Sequence, residues 1–403
     1  MLTRRSPSSR CNGPMDTEVR PVAPRRLDWL NNETARWVGE GILTADAAET
    51  IKRQYVASHA GSLTRVISYL GGAFLGVGLV WLVATNLDAL SPLVRFVGIV
   101  VVWLAFTAAA ETLPLPRPLR GAFRGIAAIS FGGVIFQAAQ SLQVPAYEPT
   151  LVGLWGLGAL LYAYASRGLA ALVVGIVTTM VWFDWQVVAS SESTFAGVFA
   201  VLVGGVVATA MAALHDRDQD TFAQVWRLAG GVLVLGGLFV AAVPQIGDRD
   251  LAWSPVLLGA LVIAVLLVAV AAARTNGLSR WEVLASALIV PIGLALVAWD
   301  PQVDDLASVS GEAWLSAFVS IAVYVVVAGA VAVDGSVRDQ TLLVVLATGA
   351  LVIFTTMQSF AVFAPIMSGA TLFLMLGVLL LATGFVFDRA RRGVAANLSE
   401  ALS

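Results

Sequence analysis

Residues 254–273, SPVLLGALVIAVLLVAVAAA, run for twenty positions without a charged side chain and without a polar face. At about 1.5 Å per residue in an α-helix, twenty residues span about 30 Å, the thickness of the hydrocarbon core of a bilayer. A helix buried in a soluble protein needs one apolar stripe, and this segment is apolar all round. The same reading extends over the chain. Of its 403 residues 58% are hydrophobic and 12% charged, about half the charged share of an ordinary soluble domain. The sequence therefore predicts an all-α, polytopic integral membrane protein.

Working outward from 254–273, comparable apolar runs occur at 66–85, 93–111, 125–142, 150–165, 168–185, 195–214, 226–244, 282–299, 313–333, 341–358 and 366–387. Together they predict about twelve membrane helices over 66–387, followed by a tail, 388–403. The 150–165 run is short and is joined to the next by only Ser166, Arg167 and Gly168. Charge sets the orientation. With the N-terminus in the cytoplasm, the ten basic residues before the first run fall inside, as do Arg117, Arg120, Arg124, Arg167, Arg217, Arg227, Arg274, Arg280, Arg338, Arg389, Arg391 and Arg392. Only Arg95 and Arg249 fall outside, which accounts for all 24 lysines and arginines. A miscounted helix would scramble this alternation beyond it. The expectation is a multi-pass membrane protein with N- and C-termini cytoplasmic. The outer loops collect acids, among them Asp88, Asp184 and Asp300, as exclusion of Lys and Arg from translocated loops would leave them.

Two segments precede the membrane runs. Residues 1–26 hold six arginines among Pro, Ser and Asn and read as a disordered basic arm. Residues 27–62 read as a cytosolic helix-turn-helix hairpin. Leu27, Leu30, Thr34 and Trp37 recur at helical spacing, Gly39 and Gly41 end the first helix, and Thr44 caps a second that continues to Tyr55. Its apolar stripe is small, so it needs another surface to lean on: membrane lipids, the membrane helices, a second copy of the chain or a protein partner. Leu30, Trp37 and Ile42 are the candidate docking residues.

The segments EGILT at 40–44, SYLGGAFLGVGLVWLVATN at 68–86 and FGGVIFQAAQSLQVPAYEPTLVGLWGLGALLYAYASR at 131–167 resemble the bacterial membrane family called domain of unknown function 2157, over about 27–185. Gln140 and Trp155 occupy the family's Gln and Trp places. Thr85-Asn86-Leu87 departs from its Ala-Asn-Trp ending on both sides of Asn86. The resemblance implies a bacterial inner-membrane protein and brings no catalytic residue.

Chemistry is sparse. No phosphate loop, nucleophile elbow or dinucleotide fingerprint occurs, one cysteine (Cys11) and two histidines (His59, His215) cannot build a Cys/His zinc site, and nothing calls for a cofactor or for nucleic acid. The candidate intramembrane polar site is Gln137, Gln140 and Ser141, placed on one helix face by their spacing. Interhelical hydrogen bonding or a polar substrate would each satisfy it. Gly72 and Gly76 form a G-x-x-x-G pair suited to close helix packing. Two functions follow as expectations. The first is a non-enzymatic scaffold, sensor or envelope-assembly component that binds a partner through the hairpin. The second is a transporter or lipid flippase for an apolar or zwitterionic substrate.

Overall fold

The computed structural model describes residues 20–22, 24–57, 91–141, 149–191, 193–243, 253–299 and 311–363, with scattered positions from 67 to 81 and from 374 to 389. The chain forms two compact units, residues 1–71 and 72–403.

In the first unit, strand β1 (Arg20–Val22) leads to helices α1 (Pro24–Gly39) and α2 (Ala45–Arg53) and then to strand β2 (Tyr55–Ala57), which pairs parallel with β1 in the register Arg20↔Tyr55. This part departs from the sequence reading. Part of the segment read as a disordered arm is strand and first helical turn, and the second helix stops at Arg53. Three-residue strands far apart in sequence gain from pairing only once the two helices have brought them together, and no local pattern announces that. Pro24 opens α1, where its missing N–H costs nothing. Gly41, at φ +72°, closes it, with Gly41 N–H donating to Val38 O at 3.1 Å and Ile42 N–H to Trp37 O at 2.9 Å, the Schellman pattern. Thr44 caps α2, its hydroxyl oxygen accepting from Ala47 N–H at 3.3 Å.

The second unit is a bundle of long helices: α3 (Pro92–Thr112), α4 (Arg117–Ser141), α5 (Pro149–Ser166), α6 (Leu169–Ser191), α7 (Thr194–His215), α8 (Asp220–Ala242), α9 (Pro255–Arg274), α10 (Gly277–Ala298), α11 (Gly311–Val337) and α12 (Thr341–Phe363). Among the described residues nine helices are long and apolar enough to cross a membrane. The 18-residue α5, the short run of the sequence reading, is not among them. The first apolar run is described at about half of its positions, the twelfth at fewer, and the tail at 388–403 only at Arg389. The protein is thus an all-α polytopic membrane protein.

Small residues set the packing. Helix α7, rich in Ala, Gly and Val, is the most enclosed, with 72% of its span buried against 11% for α3, whose Leu93, Val97, Val101 and Leu104 face outward as lipid-facing residues should. Two successive hairpins use the same reciprocal notch. A methyl on Gly156 would lie 2.5 Å from Thr179 Oγ1, and one on Gly175 2.8 Å from the Leu160 backbone N, locking α5 to α6. In α7 and α8, Gly205 meets Val234 and Gly230 meets Thr209 in the same way. In each hairpin the partner of one glycine stands four residues from the other glycine, one turn along the helix.

Candidate functional site

The polar chemistry of the bundle gathers at one end. Asp216 follows α7, Arg227 lies two turns into α8, Ser279 and Glu282 stand in the first two turns of α10, and Asp334 and Arg338 close α11. They form one network. Arg227 donates through Nη2 to both Asp216 oxygens at 2.9 Å and through Nε to Glu282 Oε1 at 2.7 Å, with Asp334 Oδ2 at 3.5 Å. Arg338 donates through Nε to Asp334 Oδ1 at 2.8 Å and through Nη2 to Glu282 Oε2 at 2.8 Å and Ser279 Oγ at 3.0 Å; its Nη1 reaches Asp216 Oδ2 at 3.2 Å. Ser279 Oγ donates in turn to Asp216 Oδ2 at 2.7 Å. The Arg227 side chain is only 3% exposed and Glu282 12%. A guanidinium suits this place because its planar fork engages several carboxylate oxygens at once and stays charged when buried. Three carboxylates against two guanidiniums leave the cluster formally one charge negative. Chemically it can hold four segments of chain together, and it can do so only while both arginines are in place.

A second, smaller set lies at the same end. Glu111, near the end of α3, accepts from Arg124 Nε and Nη2 of α4 at 2.9 and 2.8 Å and from the Tyr162 hydroxyl of α5 at 3.0 Å. Trp226 Nε1 of α8 donates to the Tyr164 hydroxyl at 3.1 Å, and the His215 ring sits 5.6 Å from that of Tyr164. These contacts join the α3–α4, α5–α6, α7–α8, α9–α10 and α11–α12 turns at one end of the bundle. Arg117, Arg120, Arg124, Arg167, Arg217, Arg227, Arg274, Arg280 and Arg338 all lie at or near those turns. The charge alternation of the sequence is therefore a geometric fact among the described helices.

The residues singled out from the sequence fare differently. Gln137 is buried, at 7% exposure, whereas Gln140 and Ser141 are exposed, and Ser141 Oγ donates to Gln137 O at 2.9 Å within the helix. The three do not converge on an enclosed site. Gly72 and Gly76 pack against α4 of the same chain, where added methyls would meet Ala122 Cβ at 2.9 Å and Ile126 Cα at 3.4 Å. Trp37 and Ile42 are linked through the Ile42–Trp37 backbone bond, with Ile42 66% exposed; Leu30 is half-buried one turn before Thr34, whose hydroxyl donates to Leu30 O. Trp29, 58% exposed, is an apolar surface residue that the helical periodicity did not single out.

Trp155, at the Trp place of the family resemblance, faces inward: its Nε1 donates to Ala128 O at 2.8 Å and its ring lies over Gly132. Gln358 acts as interhelical glue, its amide donating from α12 to Ala242 O at 3.1 Å. Near the far end of α6 to α8, Val188, Val198, Val201 and Val240 line an open apolar groove of about 290 Å³ over Gly197 and Gly237.

The ion cluster escaped the sequence reading because it sits at helix ends. Its legible signal was the Asp334–Arg338 pair at i, i+4.

Fold and packing define the class, a multi-pass α-helical membrane protein built from hairpins closed at a common basic end. Residues 35–172 match the model of the family described as "Predicted membrane protein (DUF2157)". That segment includes Trp155 and Gln140 and runs from α1 into the start of α6. No curated protein and no solved structure matches the chain.

Proposed function

We propose that the protein is a non-enzymatic component of the bacterial inner membrane, a scaffold, sensor or envelope-assembly protein, which binds a protein partner through its small N-terminal helical unit in the cytoplasm. The observation that carries this reading is the surface of that unit. Trp29 and Ile42 are 58% and 66% exposed on a piece whose buried side chains include only Thr34 and Ala48 among the described residues. Large apolar side chains left in water on so small a unit are what a docking surface looks like before its partner arrives. The cytoplasmic placement is supported by the basic turns sharing one end. Gln137, Gln140 and Ser141 do not converge on an enclosed site, so the transport alternative is the weaker reading.

The test is photocrosslinking in native membranes from a photoreactive residue at position 42 of the full chain. A discrete heterologous protein is expected, and its yield should fall at least several-fold when Trp29→Ser is added while membrane insertion is unchanged. Capture of nothing but lipid or the chain itself, or capture indifferent to Trp29→Ser, would refute the reading.

A further inference from the structure

Helix α4 begins with three arginines, Arg117, Arg120 and Arg124, at spacings of three and four, so that at about 100° per residue they fall within one arc of the helix. That arc looks toward the end of α3. Arg124 is bound to Glu111 there, and its Cδ lies against Gly168, the residue after Arg167 in the α5–α6 turn. Arg120 faces the same carboxylate and adds its charge to the field around it. Glu111 is the single acid in this group and both of its oxygens already serve Arg124, with one shared by Tyr162. The set is left with a surplus of positive charge. The Arg120 Nε–H is buried among protein atoms and has no acceptor among the described residues. That nitrogen is enclosed, so an anionic oxygen from outside would meet the other donors of the half-buried Arg120 and the exposed Arg117. The first backbone N–H groups of α4 lie beside these side chains and favour negative charge as well.

The surroundings identify the anion. Leu113, the residue that caps α3 just before these arginines, is 48% exposed, and the outward face of α3 is apolar along its length. A water-soluble anion has no use for that apolar wall, whereas a phospholipid brings a phosphate for the arginines and acyl chains for the wall. We propose that Arg117, Arg120 and Arg124, with Leu113 and the apolar outward face of α3 beside them, form a binding site for the headgroup of an anionic phospholipid at the basic end of α4. Arg117 and Arg120 supply the free charge and donors, and the Arg124–Glu111–Tyr162 set fixes the wall of the site.

The full chain, purified in detergent and offered equal amounts of phosphatidylglycerol and phosphatidylcholine, is examined by native mass spectrometry. The wild type should retain phosphatidylglycerol in preference to phosphatidylcholine. The preference should drop about thirtyfold in the Arg117→Gln/Arg120→Gln variant, at about fivefold per basic residue lost at an anionic surface. It should persist in Arg274→Gln/Arg280→Gln, which removes two exposed arginines from the same end. No preference in the wild type, or an equal loss in both double variants, would overturn the site. Should the first variant fail to fold, the wild type still decides: displacement of the lipid by inorganic phosphate would show a plain anion site and overturn the lipid assignment, and resistance to it would support the lipid.

Discussion

Arg227 concentrates the risk in this fold. It is almost fully enclosed, it lies two turns inside α8, and it touches three carboxylates contributed by the α7–α8 turn, α10 and α11. Enclosing an ion pair gives little net stability, because desolvation offsets the attraction, but removing one partner leaves the others charged and stranded. Arg227→Met should therefore lower stability by about 3–5 kcal/mol, the cost of breaking a buried pair, read as a fall in the thermal midpoint of the protein in detergent. Adding Glu282→Leu removes one stranded acid and should restore part of that loss. A single variant as stable as the wild type would show that Asp216, Glu282 and Asp334 find other partners. Trp155 and Gln358 act on a smaller scale: each spends its polar group on a backbone carbonyl of a neighbouring helix, at Ala128 and Ala242.

Among helices, glycine decides which pairs approach closely. Gly156→Ala places a methyl 2.5 Å from Thr179 Oγ1 and 2.8 Å from its backbone nitrogen, so α5 and α6 must separate; about 1–3 kcal/mol of stability should be lost, as for other overpacked interiors. Gly236→Ala, with nothing within 4 Å, should be neutral or slightly stabilising, since alanine is the better helix former. Thermal midpoints of the two variants check the contrast, and equal effects would mean that the notch does not hold the hairpin. The sequence made the apolar runs legible and the helix ends much less so. Hydropathy stops at the first charges, whereas backbone hydrogen bonding continues past them. Helix α4 thus starts at Arg117 rather than near 125, α8 at Asp220 rather than near 226, and α11 runs to Val337 rather than 333. Those extra turns carry Arg117, Arg120, Arg124 and Asp334 and set Arg227 deep in its helix, which is why the ion cluster and the lipid site were hidden while the fold class was not. The Schellman turn at Gly41 and the Thr44 cap were readable because both are local; the β1–β2 pair was not, because its partners are 35 positions apart in the register Arg20↔Tyr55.

For the molecule as a whole, the arrangement to be tested is a set of hairpins whose turns share one basic end, with that end in the cytoplasm. Arginine is costly to translocate and is concentrated at these turns, while in sequence the opposite connections carry acids such as Asp248 and Asp300; Asp184, expected in such a loop, stands inside α6, because the helix continues past the apolar run. The most direct measurement uses single cysteines in a chain with Cys11→Ser: Asp218→Cys and Asp339→Cys at the basic end, Ala189→Cys near the opposite end, all exposed positions. A membrane-impermeant maleimide applied to intact spheroplasts should label Ala189→Cys and spare Asp218→Cys and Asp339→Cys, which should react only after the membrane is opened. Labelling of Asp218→Cys or Asp339→Cys in intact spheroplasts, with Ala189→Cys protected, would contradict the orientation and with it the cytoplasmic docking surface.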